Sequence, residues 1–379
     1  MIRARGSFEL RRWILRASLY GLFVPVLLVM AMPPQAISVA ASPAKAPERN
    51  DRQAEDELQT GIALSRQALF QQAIPHLLRA RGKVADEYAA NFNLALCYVG
   101  VGSYSEAIRT LQALSADGHG TAAVHNLLAQ AYVGNGELGS AWTAFEQAVV
   151  QTPLDERLYD FVADACTDHS QYGFGLRVAD LGLKHLPDSA RLHYERAVFL
   201  ARLDRFEEAK PEFDKAAALA PGEDIAYLAR VQSALYEDHV TQAIQFAREG
   251  IQAGHKDYRM LSLLGTTLLH AGAAPGQPEF AEAQTALEAS VAARPAFSTS
   301  QIALGQVYLM ENRVRDAVSH LEIGRRMEPS NPAVYTSLAA AYRRLGERQK
   351  SQECLAALAA LLREGNPATR PNLMLKSTR

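Results

Sequence analysis

Leu127 to Pro153 reads LLAQAYVGNGELGSAWTAFEQAVVQTP. Ala129 and Tyr132 precede a glycine-containing break, GNGELG, which ends on Leu138 and Gly139, and Ala141 and Phe145 follow it. On each side, small and large apolar residues stand three or four apart, the stripe of an amphipathic helix. The break is a short turn, and Pro153 cannot continue a hydrogen-bonded helix. The stretch therefore predicts two antiparallel helices and a stop.

The same pattern recurs along the chain. Steps of 34 residues from Ala141 land on Ala73, Ala107, Gly175, Ala209 and Ala243, and after six extra residues on Ala283, Ala317 and Ser351. Three residues before each stand Phe70, Tyr104, Leu138, Tyr172, Phe206, Val240, Phe280 and Val314, with Arg348 breaking the series. A tyrosine column includes Tyr98, Tyr132, Tyr308 and Tyr342, and Pro153, Pro187, Pro221, Pro295 and Pro329 close their units. Small residues let paired helices approach, and the larger ones fill the space beside the contact. One pair cannot bury its own stripe, so the next pair must cover it, and a tandem array follows.

These columns resemble the tetratricopeptide repeat (TPR) family, with ALGQVYLMENRVRDAVSHLEIGRRMEP (Ala303 to Pro329) a second clear copy. The resemblance covers residues 54–364 in nine units. It implies an all-α, right-handed superhelical solenoid of antiparallel helix pairs, whose first helices line a concave face that binds peptide or protein segments. The family's tryptophan is replaced by Tyr159, Tyr227 and Tyr335 in some units. The sixth unit, Glu223 to Asp257, lacks a closing proline and is expected to be the least regular. The seventh carries the insertion AAPGQP (Ala273 to Pro278), which lengthens its inter-helix turn. Pro75 and Pro211 share one register, expected at the beginning of a second helix, where a missing N–H costs little.

Carried onto this chain, the family's inner face gives Arg157, Phe161, Arg191, Tyr194, Arg202, Tyr236, Arg259, His270 and Met310 as candidate groove residues. Arg157, Arg191 and Arg259 share one column, and arginine is slightly unfavourable in a first helical turn. The row is expected to present guanidinium groups to the carboxylates of a bound chain, with Tyr194 and Tyr236 as anchors. Asp160, Asp164 and Asp168 lie four apart along one helix face and read as a solvated acidic stripe. The family's lysine–asparagine–arginine clamp is not reproduced, since its places hold residues such as Leu58, Phe92, Asn93, Asn126 and Leu127.

No chemistry-bearing motif stands beside the repeat. No histidine pair lies three or four apart, no glycine-rich loop precedes a lysine, and no nucleophile elbow occurs. His119 and His125 read as solvated or capping residues. Cys97, Cys166 and Cys354 have no metal-ligand spacing and read as buried thiols. These observations predict a chain that is not an enzyme and needs no cofactor or small-molecule substrate. A formal net charge of −2 on 379 residues gives no reason to expect nucleic acid as a partner.

The N-terminus has its own logic. Residues 1–40 run basic, apolar and then small, the order of a secretory signal, with cleavage expected after Ala40. Residues 41–53 read as a polar linker and 365–379 as a basic disordered tail. The expected protein is exported, periplasmic or secreted, and serves as a scaffold for other proteins in the bacterial cell envelope. An uncleaved segment would instead give an inner-membrane-anchored assembly factor, the only case in which the membrane is a partner. A carbohydrate-binding groove is a third reading.

Overall fold

A computed structural model describes residues 49–363, except residue 296. The segments read as a signal (1–40) and as a tail (365–379) lie outside these residues. Two compact units divide at Asn135 and Gly136. The first contains α1 (Arg49–Arg66), α2 (Phe70–Ala80), α3 (Glu87–Gly100), α4 (Tyr104–Leu114) and α5 (Ala122–Gly134). The second begins with α6 (Leu138–Gln151), α7 (Glu156–Asp168), α8 (Tyr172–His185), α9 (Ala190–Arg202), α10 (Phe206–Leu219) and α11 (Asp224–Tyr236). It continues with α12 (Val240–Gln252), α13 (Tyr258–His270), α14 (Pro278–Ala293), α15 (Ser298–Met310), α16 (Val314–Met327), α17 (Pro332–Arg344) and α18 (Arg348–Arg363). No strand occurs among the described residues. The fold is an all-α tandem array of helix pairs.

The columns are the core. Ala73, Leu77, Ala107, Leu111, Ala141, Phe145, Ala209 and Phe213 are all buried. In the first unit the aromatic that opens a second helix packs against the last-turn glycine of the next first helix. A methyl group at Gly100 would overlap the Phe70 ring, and one at Gly134 the Tyr104 ring. Polar bonds follow the same register. Tyr159, His193, Gln301 and Tyr335 each donate to the carbonyl of the closing proline six residues earlier, at 2.8, 2.9, 2.7 and 2.7 Å. A side chain large enough to reach that carbonyl is what this place requires, which accounts for tyrosine where the family has tryptophan. Tyr132, Tyr308 and Tyr342 tie back to Gln112, Glu288 and Glu322 on the preceding second helix.

Helix starts are set in two ways. Six first helices begin on side-chain caps: Asp86, Thr121, Asp155, Ser189, Asp257 and Asn331 each accept a backbone N–H two or three residues on. Second helices lack such caps and emerge from a turn whose central residue has positive φ. That residue is Gly102, Gly136 or Gly346 in some turns, but Ala68, Ser170, Asp204, Asp238 or Asn312 in others. Alanine in the left-handed region costs roughly 1–2 kcal/mol, and unfolded glycine gives back about 0.4–1 kcal/mol of that through its extra freedom. Ala68→Gly is therefore expected to stabilise the first unit by about 1 kcal/mol in urea unfolding.

Three expectations are corrected here. The segment read as linker is not all linker, because α1 already begins at Arg49. Pro211 and Pro75 do not begin their helices; each is the sixth residue, inside α10 and α2. The opening aromatics Phe206 and Phe70 extend these helices N-terminally for packing, which leaves each proline in the second turn. Both prolines are exposed, as are Glu207 and Gln71, so the carbonyls that lose a partner face water. His125 is not solvated: it is 9% exposed, burial depresses its pKa, and Nδ1 has no partner among the described residues. The three cysteines are buried and unbridged. The insertion at Ala273 to Pro278 forms the α13–α14 turn, with Pro278 as the first residue of α14. The sixth unit closes on Gly254 at φ 101° instead of on a proline.

Candidate functional site

Helix α7 places Asp160, Asp164 and Asp168 four residues apart, so they rise along one face by about 6 Å each. Three guanidinium groups meet them one for one. Arg191 of α9 donates to Asp160 at 2.7 Å. Arg259 of α13 donates to Asp164 at 2.5 Å. Arg294, just past α14, donates to Asp168 at 2.8 Å. Glu195 lies between two of these rungs, 3.3 Å from Arg191 and 3.4 Å from Arg259. Tyr258 ties the upper rungs together, since its hydroxyl accepts from Arg259 at 2.9 Å and also from Arg294.

The electrostatics follow from enclosure. Glu195 is 3% exposed. Burial pushes its carboxyl up to about 7 against the pull of Arg259 and Arg191, with Asp164 and Asp160 adding repulsion. Burial likewise raises Asp168 to about 6, opposed by Arg294. Burial lowers the pKa values of Arg191, Arg259 and Arg294, but the carboxylates around Arg191, and the Tyr258 oxygen together with the carboxylates around Arg259 and Arg294, more than reverse this, and all three end above the ordinary arginine value. The groups form one coupled network, with Glu195 as the carboxylate held least well.

This geometry corrects the reading of the arginine row. Arg191 and Arg259 do not stand open to a partner, because this chain's own carboxylates already engage them. Arg157 folds back on its own cap, Asp155, with bonds of 2.8 and 2.9 Å. Nor is the aspartate stripe a solvated face, since Asp160 is buried. Tyr194 is no exposed anchor: it is 4% exposed and packs edge-on against Phe213. Tyr236 is half-buried and stacks on Phe213 at 5.7 Å. Phe161, Arg202 and His270 are half-buried, and Met310 is 47% exposed. The sequence reading missed Arg294, which closes a second helix, and Tyr258, the first residue of α13, because neither stands at a first-helix position that the repeat picks out.

A cation is a poor fit. Asp160, Asp164 and Glu195 bring carboxylate oxygens within 4.8 Å of one another. Two guanidinium groups already fill that charge, so the donor set suits arginine better than a divalent ion.

Models of the tetratricopeptide repeat match residues 64–131 and 176–224. The chain carries tetratricopeptide repeats. As a tetratricopeptide repeat array it is a protein-interaction scaffold, of a family that is generally non-catalytic. Several solved structures are similar. One is the APC/C hetero-tetramer Cut9–Hcn1, at TM-score 0.48 and 13% identity over 82% of this chain and 75% of that one. Another is PilW, a type IV pilus biogenesis factor, at TM-score 0.38 and 18% identity over 57% and 98%. A third is YrrB, a TPR protein with an unusual peptide-binding site, at TM-score 0.35 and 17% identity over 50% and 95%. No curated protein matches the tetratricopeptide repeat chain in sequence. No helix among its described residues is long and apolar enough to cross a membrane.

Proposed function

We propose that the array is a non-catalytic scaffold of the bacterial cell envelope, which holds a protein or peptide segment along its first helices. The observation that supports this face is a series of incompletely buried side chains on those helices. Phe161, Arg202, Tyr236 and His270 are half-buried, and Met310 is 47% exposed at the end of α15. Mixed aromatic, cationic and thioether side chains of this kind supply contact area and adaptability for a polypeptide. Export is supported by the basic, apolar and small order of residues 1–40.

The test is affinity capture from envelope extracts with the full chain and with a Tyr236→Ala/Met310→Glu variant. The variant is expected to lose at least about 10-fold of the retained partner with unchanged helicity, since anchor residues commonly contribute more than 1.4 kcal/mol. Equal retention would place the partner elsewhere. The mass of the exported protein checks the location, with a start at Ala41 expected, and an intact Met1 favouring the tethered form.

A further inference from the structure

We propose that the aspartate stripe of α7 is an internal ligand for the arginine row, occupying in the free chain the seats that carboxylates of an acidic partner helix take. The inference rests on the reading that a partner lies along the first helices, and it names that partner's chemistry.

Three observations carry it. First, the match is one for one: Asp160 with Arg191, Asp164 with Arg259, Asp168 with Arg294. A single helix supplies the carboxylates, whereas three separate elements converge to supply the guanidinium groups. Arginine's planar fork suits a carboxylate, and the Tyr258 hydroxyl fixes two of the three forks in place.

Second, the upper rungs join distant parts of the chain. They span 95 and 126 residues, whereas the principal packing of the array joins helices adjacent or next-but-one in order. A repeat array whose units pack on their neighbours can change its winding when such a cross-link opens. Exchange of rungs is thus compatible with intact helix pairs.

Third, the ladder is graded. The Asp160 side chain is 6% exposed, Asp164 24% and Asp168 29%. The Asp160 end is anchored, and the Asp168 end is where a competing carboxylate first gains access. An incoming helix with glutamates at every fourth position reproduces the rise of about 6 Å that α7 now offers.

The experiment uses the full chain and two fluorescent synthetic helices, one with glutamate and one with glutamine at every fourth position. Asp164→Asn/Asp168→Asn is expected to bind the glutamate helix at least about 10-fold more tightly than the natural chain, and the glutamine helix no better. Adding Arg259→Gln/Arg294→Gln is expected to abolish that gain. If Asp164→Asn loosens the fold, Asp168→Asn alone must show a gain of about 3-fold in the same direction. Equal binding by the natural and asparagine chains overturns the proposal, as does a gain that survives loss of the arginines. Should capture from envelope extracts fail while the peptides behave as expected, the scaffold reading falls and the internal ligand stands.

Discussion

Arg259→Ala is expected to destabilise the second unit by about 3–5 kcal/mol, the cost of leaving buried ion-pair partners uncompensated. The Arg259 side chain is 13% exposed and serves Asp164 at 2.5 Å, Glu195 at 3.4 Å and the Tyr258 hydroxyl at 2.9 Å. Its loss takes a guanidinium group from Asp164 and leaves the almost fully enclosed Glu195 with Arg191 at 3.3 Å in place of two such groups. Arg313 supplies the contrast. It also pairs with two carboxylates, Glu311 and Asp316, yet its side chain is 46% exposed. Solvent and side-chain entropy offset such pairs, so Arg313→Ala is expected to cost within about 1 kcal/mol. Urea unfolding followed by circular dichroism compares the two. Equal midpoints for the two variants would show that the ladder contributes nothing that surface pairs do not.

The contrast also explains what could be read from the sequence. Ala141, Phe145, Tyr132 and Pro153 announce the fold because each contact of a tandem array is made with the next unit, at a fixed distance along the chain. The period therefore carries the packing. Both halves of the ladder were visible, as an arginine column and as an aspartate stripe, but their pairing was not. Whether Asp164 meets Arg259 depends on how tightly the units wind, which accumulates from small rotations that no single repeat encodes. Arg294 lay beyond reach for the same reason: it precedes Pro295 in a closing segment, where only the winding brings it to Asp168. Pro211 was misplaced on a local ground. Its register with Pro75 was visible, but the helix start is set by Phe206, whose packing decides the first turn.

Glu195 gives the second large expectation, and its sign is opposite to that of an ordinary paired carboxylate. Its folded pKa is raised to about 7 from the ordinary 4.5, with burial as the main cause. Between those values the folded chain binds more protons than the unfolded one, so this group's contribution to stability falls as pH rises through that window. The penalty is absent below the ordinary value and fully present above 7. A shift of this size corresponds to about 3 kcal/mol. Asp168, raised to about 6, acts in the same direction. Glu195→Gln keeps the shape and removes the charge, so it should match the natural chain near pH 4.5 and exceed its stability by about 3 kcal/mol at pH 8. Thermal or urea unfolding across that range reads the difference, and parallel stability curves for the two chains would sink the assignment. The reason for the gain lies in the ladder. Arg191 and Arg259 are each shared between an aspartate and Glu195. Neutralising Glu195 leaves both guanidinium groups to Asp160 and Asp164, so the rungs tighten as the buried excess of negative charge disappears.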